Sequence, residues 1–286
     1  MTSSNPTIPG VTLNDERTIP QLGFGVFKVE PESTQETVEQ AFEVGYRHID
    51  TAQMYGNEAG VGAAIKAAGI PRDELWITTK LNNGFHRPDD ARRTFGESLD
   101  RLGLDQVDLF LIHWPLPTRY DGDFVSTWRT LVELRDDGRA RSIGVSNFEP
   151  DHLRRIVEET GVVPAVNQIE VHPYLTNEAA RAANASYGVA TEAWSPIAKG
   201  QVNDDATIRG IADRLGRTPS QVALRWAIQR GDIVFPKSVR RERMEENFAI
   251  FDFELADDDL AAIGALDRGE AGRTGPNPAS FDWIPD

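Results

Sequence analysis

Short apolar runs alternate with amphipathic stretches along nearly the whole chain. The runs Leu22–Gly25, His48–Thr51, Leu75–Lys80, Val107–His113, Ser142–Val145, Ala165–Gln168, Ala190–Trp194 and Ile233–Pro236 read as eight buried strands. Between them lie helical patterns over Thr34–Val44, Asn57–Ala68, Pro88–Arg101, Phe124–Asp136, Pro150–Glu159, Asn177–Tyr187 and Ser220–Gln229. In the first of these, Val38, Ala41, Phe42 and Gly45 recur at helical spacing. Thr218-Pro219-Ser220 is a helix start. An additional helix, Ala206–Leu215, lengthens the interval before the last strand.

Eight strands separated by eight crossovers predict a TIM (β/α)8 barrel. A doubly wound open sheet uses the same local signals. It would normally carry a G-x-G-x-x-G loop after its first strand, and Leu22-Gly23-Phe24-Gly25-Val26-Phe27 has none. Val11–Asn14 and Arg17–Pro20 predict an N-terminal hairpin (within residues 1–20) capping the barrel floor. Arg241–Phe248 and Ala256–Leu266 predict two C-terminal helices. Residues 267–286, rich in Gly, Pro and Asp but carrying Phe281 and Trp283, read as a disordered end or a lid. No linker divides the chain, so residues 1–286 are expected to form a single domain.

At 286 residues the chain suits one barrel, and 40% hydrophobic with 26% charged residues suits a globular protein. The net charge of −15 argues against nucleic acid and anionic membranes as partners. Any anionic ligand then needs a local basic cluster. There is no cysteine, hence no disulfide or thiolate chemistry, and no metal is expected. The start Met1–Pro6 lacks the features of a secretory signal, which predicts a cytoplasmic protein.

Only five of the thirty Lys and Arg residues are Lys, yet Lys80 ends an apolar strand. A buried ammonium there needs a partner. Asp50 ends the preceding strand, Tyr55 follows it in the loop, and His113 ends the next. Taken singly, Tyr55 fits a packed aromatic and His113 a core histidine, while Asp50 and Lys80 fit a rescuing ion pair. On adjacent parallel strands, all four converge at the C-terminal rim where barrels place their chemistry. Asp50 would hold Lys80, and Lys80 would lower the phenol pKa. His113 would orient a carbonyl, and Tyr55 would protonate its oxygen. No side chain supplies the hydride that such a site needs, whereas a nicotinamide cofactor does.

Lys237-Ser238-Val239-Arg240-Arg241-Glu242-Arg243 follows the eighth strand and opens a helix, which suits a 2′-phosphate. Trp194 ends the seventh strand; taken alone it fits the core, and beside such a cofactor it would stack on the nicotinamide. Taken alone, Ser146-Asn147 and Asn167-Gln168 are ordinary loop caps at the ends of the fifth and sixth strands; with such a cofactor their amides would bind its carboxamide.

The chain resembles the aldo-keto reductase superfamily along nearly its whole length, closest to its bacterial 2,5-diketo-D-gluconate reductase-like members. The resemblance is carried by Gly45–Ala52, Tyr55-Gly56-Asn57-Glu58, Ile143–Phe148, Val166–Glu170, and Pro236-Lys237-Ser238 through Glu246-Asn247. It implies a TIM barrel that reduces small aldehydes, dicarbonyls or keto-sugars with NADPH. It implies the tetrad Asp50, Tyr55, Lys80 and His113, with Tyr55 as general acid. The cofactor site it implies includes Gly25, Val26, Phe27, Asp50, Ser146, Asn147, Gln168, Trp194, Ser195, Pro196 and Ile197. Lys237, Ser238 and Arg243 fall to the 2′-phosphate, with Val239 and Arg240 beside them at the cofactor and Glu246 and Asn247 on the adenine side. Phe27, Met54, Tyr55, Asn82, His113, Trp114 and Trp283 are expected to face substrate. Near relatives commonly carry Trp where this chain has Asn82, which implies a wider or more polar rim. A monomer is the family expectation. The competing readings are an NAD-linked alcohol dehydrogenase and a catalytically silent nucleotide-binding barrel. A barrel hydrolase finds no strand-end carboxylate pair to use.

Overall fold

The computed structural model describes residues 8–285. Residues 1–7, which include the Met1–Pro6 start and the beginning of the expected hairpin segment, lie outside it. So does Asp286. Two short strands, β1 (Gly10–Thr12) and β2 (Thr18–Pro20), form an antiparallel hairpin. Eight parallel strands follow in chain order: β3 (Phe24–Gly25), β4 (His48–Asp50), β5 (Trp76–Leu81), β6 (Val107–Ile112), β7 (Ala140–Ser146), β8 (Val166–Glu170), β9 (Ala190–Trp194) and β10 (Ile233–Val234). The sheet closes between its ends: Val234 bridges Leu22, and Gly23 N–H donates to Val234 O at 2.7 Å. The chain is thus an α/β barrel of the TIM type.

Most connections are helical: α1 (Pro31–Val44), α2 (Glu58–Ala68), α3 (Pro88–Leu102), α4 (Phe124–Asp136), α5 (Pro150–Thr160) and α6 (Glu178–Ser186). α7 (Ala206–Leu215) and α8 (Pro219–Gln229) both lie between β9 and β10, and α9 (Arg241–Phe248) and α10 (Asp257–Gly264) follow β10. Several boundaries differ from the sequence pattern for local reasons. α1 begins at Pro31 because proline is preformed for a first helical position. The eighth strand stops at Val234 rather than Pro236, which has no N–H to give to a ladder. The sixth runs to Glu170, two residues beyond its expected end, and His113 falls just past β6.

Alternation along each strand decides what the barrel contains. On β4, Ile49 joins the outer core under the helices while His48 and Asp50 point inward. On β8 and β9 the inward residues are Gln168 with Glu170 and Glu192 with Trp194. The register sets Gln168 beside Glu192 and Glu170 beside Trp194. The lower interior is apolar: Trp76, Leu109, Leu111, Val166 and Ile233 pack with Leu13 and Ile19 from the hairpin. Burying Ile19 there contributes roughly 1.5–3 kcal/mol. The hairpin is also tied down by Asn14 Nδ2 donating to Pro164 O (2.8 Å) and Ser142 Oγ donating to Asp15 (2.6 Å). Above this floor the interior turns polar, and that tier carries the site. No helix among the described residues is long and apolar enough to cross a membrane.

Candidate active site

At the C-terminal rim, Lys80 Nζ donates to Asp50 Oδ1 at 2.6 Å and to Thr51 O at 2.9 Å, with both side chains buried. Burial alone would lower the Lys80 pKa, but the Asp50 and Tyr55 charges outweigh it and leave the pKa raised. The ammonium is therefore permanent at neutral pH. Its nitrogen stands 5.1 Å from the centroid of the Tyr55 ring.

Tyr55 closes a 3-10 turn, Gln53–Tyr55, which Gly56 terminates at φ +68°, a conformation that favours glycine. This loop is fastened from below by two buried side chains. Asn57 accepts from Thr51 Oγ1 (2.9 Å) and donates to Val26 O (2.9 Å) and Val29 O (3.2 Å). Glu58 accepts from Thr79 Oγ1 (2.6 Å) and Arg101 Nε (2.8 Å). The Tyr55-Gly56-Asn57-Glu58 motif is thus one reactive-type group and its supports.

The His113 ring meets Tyr55 edge-on at 5.7 Å between centroids. Burial, then the Lys80 charge, holds its pKa well below the usual imidazole value, so the ring is neutral. Asp50, Tyr55, Lys80 and His113 therefore do meet at one point, as expected from the strand ends. Lys80 acts on the phenol in the expected direction, against a larger opposing effect. The Lys80 charge pulls the Tyr55 pKa down, but burial is the larger effect and Asp50 adds to it, so the net shift is upward. At neutral pH the group is a phenol.

The amide side chains are more committed than the sequence suggests. Asn147 Nδ2 donates to His113 O (2.9 Å) and Ser146 Oγ (3.0 Å), and its Oδ1 accepts from Trp194 Nε1 at 2.8 Å. Gln168 Nε2 donates to Asp50 Oδ2 (2.9 Å) and Glu192 Oε2 (2.7 Å), leaving its carbonyl oxygen as its remaining group. Asn167 points outward and donates to Phe148 O and to Asn184 on α6, away from the site. Asn147 and Ser195 hold positive φ (+62° and +53°), local strain concentrated at the ends of β7 and β9.

In the basic cluster, Ser238 Oγ accepts from Arg240 N–H (3.1 Å), folding the loop tightly. Arg243 is paired to Glu246 at 2.7 Å, and Thr218 Oγ1 donates to the same carboxylate. Arg241 is bound by Glu43 and Glu245. Among the described residues, neither Lys237 nor Arg240 has a carboxylate partner, and Val239 between them is 52% exposed. Asn247 is buried on α9.

The tail is ordered and seated on the rim. Phe281 packs on Trp114 at 4.3 Å between centroids. Asn83 Nδ2 donates to Trp283 O (2.9 Å), and Arg119 pairs with Asp282 at 3.2 Å. The Trp283 and Phe27 side chains are the large apolar groups most exposed at this mouth. Phe27 also meets the Tyr55 ring at 5.0 Å. Asn82 spends its Oδ1 on Gly84 N–H and its own N–H on Gln53, so it shapes the loop.

Glu170 and Glu192 are prominent in the structure although the sequence gives them no role. Glu170 clasps the tail. Its Oε1 accepts from Thr274 N (2.7 Å), Thr274 Oγ1 (2.5 Å) and His172 Nε2 (3.0 Å), and its Oε2 from Gly275 N (3.1 Å). The one available signal was their inward phase on β8 and β9.

A parallel eight-stranded barrel that gathers an ammonium–carboxylate pair, a phenol and a neutral imidazole at its C-terminal rim defines an aldo-keto reductase-type oxidoreductase. The chain belongs to this family: the model of the aldo/keto reductase family matches residues 21–268. It is 50% identical over 275 residues to an aldo-keto reductase of Mycolicibacterium smegmatis, covering 96% of this chain and 98% of that protein. It is 50% identical over 276 residues to the methylglyoxal reductase DkgA of Yersinia pestis, covering 96% and 97%. Among solved structures, a Gox0644 variant in complex with NADPH superposes with a TM-score of 0.93 at 43% identity, covering 97% of this chain and 100% of that one.

Proposed function

We propose that this chain reduces small carbonyl compounds, vicinal dicarbonyls foremost, with NADPH as reductant and Tyr55 as general acid. The observation that carries the proposal is the Tyr55 phenol set between the neutral His113 ring and the Lys80–Asp50 pair. As a member of its family the chain is an NADP-dependent oxidoreductase. The residues fit that cofactor. Among the described residues, Lys237 and Arg240 are cations without acidic partners, in a chain of net charge −15 and beside the exposed Val239. They would hold the 2′-phosphate with Ser238. Arg243 would join them by leaving Glu246, and Glu246 and Asn247 lie on the adenine side. Gly25, Val26, Phe27, Ser146, Asn147, Gln168, Trp194, Ser195, Pro196 and Ile197 would flank the rest of the cofactor. When bound, the reduced nicotinamide supplies a hydride to the carbonyl carbon.

The chain's own part is to receive the oxygen. Neutral His113 offers a hydrogen bond without adding a second cation beside Lys80. Tyr55 transfers its proton to the oxygen as negative charge builds there. Lys80, kept charged by Asp50, stabilises the phenolate that remains. The raised resting pKa ensures that Tyr55 carries its proton when substrate arrives. Phe27, Met54, Trp114 and Trp283 form a mostly apolar wall, and the nearby Arg119 is neutralised by Asp282. A small uncharged dicarbonyl suits that mouth better than a sugar acid, which would need a free cation. The similarity to a methylglyoxal reductase points the same way. We further read the chain as one domain that works as a cytoplasmic monomer, which sedimentation at assay concentration tests.

The deciding experiment is loss of NADPH absorbance with methylglyoxal, diacetyl, simple aldehydes and 2,5-diketogluconate, for the parent and Tyr55→Phe. The expected result is turnover strongest on the dicarbonyls, falling by roughly 10²–10⁴-fold in Tyr55→Phe with NADPH binding retained. NADPH binding without turnover on any of them would sink the enzyme reading.

A further inference from the structure

We infer that Glu192 is a positioning residue for carbonyl reduction, holding the Gln168 amide and, through it, the Asp50 carboxylate under Lys80. The inference rests on the reductase reading above. Both N–H bonds of Gln168 are spent on carboxyl groups, Asp50 Oδ2 at 2.9 Å and Glu192 Oε2 at 2.7 Å. The amide can take no other orientation, because reversing it would set its carbonyl oxygen against Asp50. The row Lys80–Asp50–Gln168–Glu192 therefore runs across the barrel interior from β5 through β4 and β8 to β9, and Glu192 is its far anchor.

The charges along this row are unequal. Asp50 has the Lys80 ammonium at 2.6 Å. Among the described residues, Glu192 is fully buried, makes no ion pair, and leaves its Oε1 without a hydrogen-bond partner. The charged group facing it from β4 is Asp50, and from β5 it is Lys80. β8 contributes the uncharged Gln168, and β10 sets Ile233 beside it. An unpaired buried carboxylate is costly, so Glu192 holds its proton. Burial first, and the Asp50 charge second, raise its pKa to about 8. At neutral pH the row thus carries one negative and one positive charge.

Above about pH 8 Glu192 ionises. A second negative charge then faces Asp50 in the barrel. It opposes formation of the Tyr55 phenolate, so proton donation weakens before Tyr55 itself titrates. Each unit by which the phenol pKa rises costs up to about tenfold in proton transfer.

The test compares the parent, Glu192→Gln and Glu192→Ala. Glu192→Gln keeps the acceptor for Gln168 and cannot ionise. It is expected to match the parent at pH 7 within about twofold, and to lose the alkaline decline that the parent shows between about pH 7 and about pH 9. Glu192→Ala frees Gln168 and should lower kcat about tenfold or more, with the carbonyl KM little changed. Infrared spectra of the protein without NADPH give an independent readout: a protonated-carboxyl band in the parent, absent from Glu192→Gln and disappearing near pH 8. Superimposable pH profiles for parent and Glu192→Gln, or no such band, would overturn the inference. A parent that reduces no carbonyl overturns the reductase reading, and with it the positioning role, whatever the infrared band shows.

Discussion

Replacing Glu170 by Gln should release the C-terminal tail from the barrel while leaving the fold intact. The Glu170 side chain is fully buried, and its two oxygens accept from Thr274 N, Thr274 Oγ1, Gly275 N and His172 Nε2. Lys199 holds the same stretch from the other side by donating to Thr274 O at 2.6 Å. Gln keeps one acceptor oxygen but turns an NH2 toward a backbone N–H, so at least one charge-assisted hydrogen bond is lost. Such a bond contributes about 1.5–3 kcal/mol. Taking about 2 kcal/mol, the docked tail becomes roughly 30-fold easier to open. The consequence reaches Trp194, because Gly275 lies so close that a Cβ there would stand 2.3 Å from the Trp194 ring. Hydrogen exchange at the Thr274 and Gly275 amides measures the opening directly. Both should exchange about 30-fold faster in Glu170→Gln, with core amides unchanged. The pH dependence has a definite sign. Burial works to raise the Glu170 pKa, but hydrogen bonds from His172 and Thr274 outweigh it and hold the pKa below the usual carboxylate range. Its contribution is therefore present above that range and is lost as pH falls through the depressed value, so acid should loosen the tail and alkali should not. Equal exchange at both amides in parent and variant would refute the clasp.

Lys80→Met should destabilise the protein by about 3–5 kcal/mol, because it leaves the buried Asp50 uncompensated. Adding Asp50→Asn should recover part of that loss, and thermal unfolding of the parent, Lys80→Met, Asp50→Asn and the double variant forms the cycle. Lys237→Ala should raise the KM for NADPH about tenfold, the equivalent of roughly one charge-assisted hydrogen bond, while leaving the weaker use of NADH unchanged. An equal change with both cofactors would mean that Lys237 does not meet the 2′-phosphate.

The barrel was legible because its signals are local and repeated: eight apolar runs, each followed by a helical pattern. Asp50, Lys80 and His113 were legible because polar groups of those kinds at strand ends break an otherwise apolar pattern. The hydrogen-bond economy of the interior was not. Glu192 sits within Ala190–Trp194 and Glu170 at the end of Val166–Glu170, where a sequence shows a carboxylate but not its neighbour across the barrel. Their partners, Gln168 at 2.7 Å and Thr274 at 2.5 Å, come from register and from a tail 104 residues further along. The upward shift of the Tyr55 pKa was illegible for a related reason. Proximity to Lys80 follows from strand order, whereas the degree of burial follows from how Phe27 and His113 close around the ring.

The choice of Lys at position 80, in a chain whose other cations are mostly Arg, follows from counting donors. An ammonium has three N–H bonds and a guanidinium five in a rigid fork. The interior at this level offers Asp50 Oδ1 and Thr51 O as acceptors, and Asp50 Oδ2 is already taken by Gln168. Lysine meets both acceptors and keeps one N–H for the region beside Tyr55, with its nitrogen 5.1 Å from that ring's centroid. Arginine would leave about three donors buried without partners, each costing about 1–3 kcal/mol. The same count explains the far end of the row. One ammonium can neutralise one carboxylate, so of the two carboxyl groups that share Gln168, the one next to Lys80 is ionised and the other keeps its proton. The charge that acts on the phenol is thus set by a donor count fixed across four strands, which no single motif could specify.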